Sequence, residues 1–364
     1  MVEKRRIGDS TIEVAPLALG GNVFDWTADE QASFAVLDAF VDAGGNMIDT
    51  ADVYSAWVPG HKGGESETVI GRWLKRDPKK RDKVIIATKV GMLDGQIVDG
   101  EYETVLHPNV IARACDDSLR RLGIERIDLY YQHRDDPKTP LEQSLEAFQR
   151  LREEGKIRTV GLSNFTGPRI DEAFDAAKRL GITKPVALQP KYNLLERDPF
   201  ESELRPVAER HDLGVFPYYA LANGFLTGKY RSKDDLGKST RGQRVATYLE
   251  GRGMRVLDAL DEIASETGAA LATISLAWLM AQPTIVAPIA SATSVDQLKE
   301  LTAAMELKLS GDQLARLDEA SAERNQPSLS SEYPATRPSS LRWRSRSLLR
   351  HPEPTTDCEA KAVC

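Results

Sequence analysis

The sequence predicts an α/β fold, a (β/α)8 or TIM barrel, on three observations. From about residue 29 onward, short β-rich apolar runs alternate with longer stretches of helical period. Eight such alternations occupy about 290 residues, the size of a single barrel. The runs are almost continuously apolar, which implies burial on both faces, as in a parallel sheet. The alternative is an open doubly wound sheet, which expects GxGxxG after its first strand; LALGGNVF (17–24) is not that motif.

Taken in order, the strand candidates are VAPLALG (14–20), NMIDT (46–50), VIIATK (84–89), IDLYYQH (127–133), TVGLSN (159–164), VALQ (186–189), GVFPYY (214–219) and TIVAPI (284–289). Amphipathic segments lie between them at roughly 29–43, 65–76, 109–122, 141–154, 168–180, 200–211, 255–282 and 295–304. Pro108 and Pro140 mark helix starts, while Gly123, Gly155 and Gly181 fall just past helix ends. A long polar connection, 222–253, follows the seventh strand; a loop of that length in a compact domain is usually functional or disordered. The barrel domain is expected to span 1–325. Residues 326–364, rich in Ser, Pro and Arg and without sustained period, are expected to be a disordered tail, with an Arg cluster around Trp343.

Composition narrows the function. The 364 residues are 41% hydrophobic and 28% charged, ordinary for a globular protein. No apolar run approaches the roughly 20 residues of a spanning helix, so no membrane association is expected. A net charge of −7 is the wrong sign for a nucleic-acid binder. MVEKRRIGDS carries no apolar stretch to act as a signal peptide, and three cysteines make no disulfide framework; both favour the cytoplasm. There is no CxxC or HExxH, and five histidines are too few for a multi-histidine metal centre.

A parallel barrel gathers the C-terminal ends of its strands onto one rim, where active sites lie. Polar residues sit at those ends: Asp49, Lys89, His133, Ser163, Asn164, Gln189 and Tyr218, with Tyr54 in the loop five residues after Asp49. Asp, Lys, Tyr and His together suit proton transfer. A phenol has a pKa near 10, and an ammonium beside it, here Lys89, is expected to lower it. Asp49 would hold that ammonium and His133 would steer a substrate oxygen, leaving Tyr54 as general acid or base. Each residue also has a plainer reading: an ion pair, a rim aromatic, a core histidine, or a helix cap at Ser163–Asn164. Cys115 is expected to be packed as a small hydrophobe, and His61 and His107 to be loop residues.

Several segments carry a resemblance to one family. GGNMIDTADVYS (44–55), IIATKVG (85–91), SLRRLGIERIDLYYQH (118–133), LREEGKIRTVGLSNF (151–165), LQPKYNLLER (188–197) and GFLTGKY (224–230) together resemble the aldo-keto reductases over about residues 4–305. The resemblance implies a (β/α)8 barrel that reduces carbonyls or oxidises alcohols with a nicotinamide cofactor and no metal. Its catalytic tetrad falls on Asp49, Tyr54, Lys89 and His133, with Tyr54 as the acid. Ser163, Asn164 and Gln189 fall on the positions that hold the nicotinamide carboxamide, and Tyr218 on the ring that stacks against it. Gly21, Asn22, Asp49, Leu221, Asn223 and Lys229 join the cofactor contacts, Lys229 as a pyrophosphate cation. Phe24, Trp57 and His133 are the substrate-side candidates.

The sequence departs from the family's pattern in two places. PIASATSVDQLKEL (288–301) offers Ser291, Thr293, Gln297 and Glu300 to the adenine end without an arginine for a 2′-phosphate, and Leu301 replaces the usual Asn. NADPH is favoured, with NADH possible; hydroxyls, the helix start near Ser294, and Arg241 or Arg244 are candidates for the missing charge. YYAL (218–221) replaces an aromatic followed by Ser-Pro-Leu. The expected partner is a small carbonyl or alcohol, and the oligomeric state is not legible. The competing readings are a cofactor-binding regulatory subunit, resembling the potassium-channel beta subunits, and a metal-dependent barrel hydrolase.

Overall fold

Eight parallel strands pair in the order β7-β6-β5-β4-β3-β2-β1-β8. They are β1 (Ala18–Gly20), β2 (Met47–Asp49), β3 (Ile85–Val90), β4 (Ile127–Gln132), β5 (Ile157–Ser163), β6 (Ala187–Gln189), β7 (Gly214–Val215) and β8 (Ile289–Ala290). A parallel bridge between Val215 and Ile285 joins the ends of this row and closes it into a barrel. There the Val215 N–H donates to the Thr284 carbonyl at 3.0 Å and the Val286 N–H to the Val215 carbonyl at 2.9 Å. The predicted fold is the one observed. The coordinates are a computed structural model and describe residues 2–323 apart from 96, 99 and 100. The predicted tail at 326–364, with its Arg cluster around Trp343, lies outside the described residues.

Helices α1 (Glu30–Asp42), α2 (Glu65–Arg76), α3 (Pro108–Leu122), α4 (Leu141–Glu153) and α5 (Gly167–Leu180) return the chain between strands on the outside. Their stops were legible: Gly123 and Gly181 take left-handed φ of 64° and 67°, which a glycine adopts without a Cβ clash. Pro108 opens α3, and the His107 side chain caps it by accepting from the Asn109 N–H at 3.3 Å, a role sequence reading missed. The predicted 200–211 segment starts as a π turn, Phe200–Leu204, before α6 (Arg205–Arg210); Pro206 has no N–H for a regular ladder. The predicted 255–282 segment divides into α7 (Arg252–Thr267) and α8 (Leu271–Met280), bent by 98° where Gly268 turns left-handed at φ 70°. Helices α9 (Val295–Ala303) and α10 (Gly311–Ser321) complete the shell.

The first predicted strand is shorter than its apolar run. Pro16 has no N–H to give, so Val14 pairs instead in an antiparallel hairpin with Arg5–Arg6, and β1 begins at Ala18. That hairpin brings Ile7, Ile12 and Val14 into the barrel's inner core with Met47, Ala87, Leu129, Tyr131 and Phe216. A second, larger core lies between strands and helices and contains Cys115, whose thiol burial pushes up to about 12, as a packed and unreactive group. Among the described residues, no single helix is long and apolar enough to cross a membrane.

Candidate active site

Barrel register sets the site. Gly20 pairs with Asp49, Asp49 with Ala87, Lys89 with Tyr131, and Ser163 with Gln189, so the polar strand ends face one interior. Lys89 is fully buried and Asp49 is 1% exposed. The Lys89 ammonium donates to Asp49 Oδ1 at 2.7 Å, to the Thr50 carbonyl at 2.9 Å and to the Tyr54 hydroxyl at 2.8 Å. An ammonium has three protons, and all three are used. The Tyr54 hydroxyl in turn donates to Asp49 Oδ1 at 3.3 Å. On the other side of the carboxylate, Gln189 Nε2 donates to Oδ2 at 2.8 Å. The His133 ring lies edge-on to Tyr54, with centroids 6.1 Å apart.

Burial dominates the protonation states. It raises the Tyr54 phenol well above its ordinary value, and the negative charge of Asp49 adds to the rise. The expectation from Lys89 alone is a pKa below the ordinary value; the net result is one above it, so the phenol stays protonated, which suits an acid. Burial likewise pulls the Lys89 ammonium down, with Asp49 opposing it. His133 is held well below its ordinary value by burial and by the charges of Lys89 and Arg134, so it is neutral at pH 7.

A cleft of about 950 Å³ runs from this cluster to the β8–α9 end. It is lined by Asn22, Ser163, Asn164, Gln189, Tyr218, Leu221, Asn223, Lys229, Ser291, Thr293, Gln297 and Glu300, and at the mouth by Trp57. The side chains are already organised. Ser163 Oγ donates to the Gln189 carbonyl at 2.9 Å, Asn164 Nδ2 to the His133 carbonyl at 2.9 Å, and Tyr218 hydroxyl to Asn164 Oδ1 at 2.7 Å. Ser291 Oγ donates to Asn22 Oδ1 at 2.6 Å, while Thr293 and the Ser294 cap both bond Gln297 at the start of α9. Ala222, Asn223 and Gly224 are all left-handed, strain of the kind concentrated at ligand sites.

Two predicted residues are elsewhere. Phe24 is wholly buried in the outer core, and only its carbonyl, accepting from Ser55 at 2.8 Å, serves the loop. Gly21 lies behind the rim: its N–H donates to the Asp49 carbonyl at 2.7 Å, and a Cβ there would meet Ser66 Oγ at 2.8 Å. Sequence reading missed Met92 and Arg134 in the lining. Arg241 lines the cleft with its guanidinium 4.9 Å above Trp26, which packs on Trp57 at 5.6 Å; this puts it over the mouth. The connection 222–253 that carries it is three short 3-10 stretches folded along the cleft. Among the described residues, no three His, Cys, Asp or Glu side chains converge as metal ligands.

Behind Lys89 lies a buried acidic pair. Glu67 on α2 is satisfied by Arg121 at 2.6 Å and by Thr88 at 2.5 Å. Asp52 has neither carboxyl oxygen bonded, and burial, with Glu67 beside it, raises its pKa well above the ordinary value. A carboxyl whose folded pKa is raised contributes stability below its unfolded value near 4 and loses it as pH rises toward the folded one. Asp52→Asn removes that loss. The variant is expected to exceed the wild type by at least about 1 kcal/mol at pH 7 in denaturant unfolding, with the advantage shrinking toward pH 4. An advantage independent of pH would assign the effect to packing.

The fold and the cleft define a parallel barrel with a site at the C-terminal ends of its strands, and comparison with known proteins makes it an oxidoreductase. The model of the aldo/keto reductase family matches residues 16–322, and the chain belongs to that family, whose members use nicotinamide cofactors on small carbonyl compounds. The chain is 32% identical to an uncharacterized oxidoreductase, YrpG, of Bacillus subtilis, over 87% of this chain and 95% of the relative. It is 32% identical to a putative voltage-gated potassium channel subunit beta of Schizosaccharomyces pombe, over 86% and 92%. Aldo-keto reductase yakc [NADP(+)] of the same yeast is 30% identical, over 88% and 91%.

Proposed function

We propose that this protein reduces aldehydes or ketones to alcohols, reversibly, with NADPH favoured over NADH and Tyr54 as the general acid. The observation that carries this reading is the buried Asp49–Lys89–Tyr54 triangle opening beside His133 onto a cleft of dinucleotide size. The residues fit the cofactor by their chemistry. Asn164, Ser163 and Gln189 offer amide and hydroxyl groups to a carboxamide, and Tyr218, pinned by its bond to Asn164, offers a flat face. Lys229 and the left-handed 222–224 turn suit a pyrophosphate. Ser291, Thr293 and the Ser294-capped start of α9 suit a 2′-phosphate, Gln297 and Glu300 the adenosine. Arg241 lines the same cleft, with its guanidinium over Trp26.

When bound, the nicotinamide supplies hydride to the carbonyl carbon. His133 and Tyr54 hold the carbonyl oxygen, and Tyr54 gives it the proton. Lys89 steadies the phenolate that remains, and Asp49 keeps Lys89 aimed. Trp57, 42% exposed, and Tyr219, 38% exposed, flank the mouth and favour carbonyls with an apolar body. Titration of protein fluorescence with NADPH and NADH, then turnover of the better binder on an aldehyde and ketone panel, tests the proposal. Saturable binding with turnover is expected; binding without turnover on any carbonyl would leave it unsupported. That outcome would favour the second reading, a cofactor-binding channel subunit, which the yeast relative's name motivates and which a stable complex in a pulldown would identify.

A further inference from the structure

We propose that Gln189 is a positioning residue for the Asp49–Lys89 pair, joining it to the cofactor end of the cleft. Asp49 is gripped from opposite sides of the barrel. Lys89 on β3 and Tyr54 share Oδ1, and Gln189 on β6 bonds Oδ2 at 2.8 Å, from 140 residues away in sequence. A carboxylate only accepts, so the amide nitrogen has to be the end that faces it. Gln189 is itself 2% exposed, and its backbone is tied to Ser163 by register and by the Ser163 hydroxyl. The same side chain lines the cleft, so one amide borders both the ion pair and the place proposed for the nicotinamide.

The physical consequence is a fixed carboxylate plane. Without the donor at Oδ2, a buried acceptor is left unmet, and the carboxylate turns toward the donors it retains. Lys89 and the Tyr54 hydroxyl, both bonded to Oδ1, turn with it. The other titratable groups around this contact are Tyr131 and His133 from β4 and Tyr218 after β7. Asp52 and Glu67 stand behind Lys89. None of these reaches Oδ2 with a hydrogen bond in the structure.

The kinetic part of this inference rests on the reductase reading; the stability part does not. Gln189→Glu keeps the shape and an acceptor for a carboxamide, and restores a donor to Asp49 only when its new carboxyl is protonated. Burial and the neighbouring carboxylate raise that carboxyl above the ordinary value near 4.3. In the protein without cofactor, the melting temperature of this variant is expected to lie below wild type at about pH 8 and to converge on it by about pH 5.5. With saturating cofactor, its kcat relative to wild type is expected to rise at least about tenfold over the same range. Gln189→Met, which has neither donor nor charge, should lose about tenfold in kcat at every pH and show a melting deficit that does not vary with pH. A deficit for Gln189→Glu that is flat with pH, or wild-type kcat in Gln189→Met with only the cofactor dissociation constant changed, would overturn the proposal and leave Gln189 a cofactor contact. If the wild type reduces no carbonyl, the melting comparison still decides the positioning role.

Discussion

Tyr54→Phe is expected to lower kcat for carbonyl reduction by about 10²–10⁴-fold, the range a positioned acid supplies. Affinity for the cofactor should change little, because the phenol hydroxyl bonds only Lys89 and Asp49, and Asp49 keeps its bonds to Lys89 and Gln189. The ring also stays, with its edge contacts to Trp57 and His133, so the fold should hold. Because burial keeps the wild-type phenol protonated through neutral pH, loss of the acid's own proton should not limit reduction there, and any alkaline fall in rate should follow the Lys89 ammonium, whose pKa burial lowers. Single-turnover reduction followed by loss of cofactor absorbance, beside a binding titration, separates the two effects. A variant that turns over at the wild-type rate would remove the phenol from the chemistry.

Lys89→Met is expected to damage both stability and rate. The ammonium is the cation facing Asp49, and both are buried. Removing one member of a buried ion pair leaves the other charge uncompensated, at about 3–5 kcal/mol. Turnover should fall by about 10²–10³-fold as well, since the phenolate left by proton transfer loses its counter-charge. Denaturant unfolding and steady-state kinetics on one preparation measure the two losses. Intact stability would mean that Asp49 takes up a proton at little cost, and that the pair matters less than its burial suggests.

The strands were legible because each carries a dense apolar run, and their ends were legible because polar residues interrupt those runs at the same point. Asp49, Lys89, His133 and Gln189 come together for that reason alone. Spacing could not say which way a side chain turns. Phe24 is adjacent to the rim in sequence, yet the loop after β1 rotates it into the core. Nothing local marks Arg241 as the residue that meets Trp26, because that contact spans most of the chain. Nothing in residues 49–54 marks Asp52 as buried; the charged neighbours that act on it, Glu67 and Arg121, come from α2 and α3. The division between α7 and α8 was signalled by Gly268, but both halves are apolar enough for a continuous period to pass over it.

Lys89 has no contact with water and no proton uncommitted, whereas Tyr54 keeps one face toward the cleft. On the reductase reading, the proton that Tyr54 gives up is replaced from the cleft it faces or from the Lys89 ammonium it already touches, so the one open face of the phenol is also the link between this buried pair and bulk solvent.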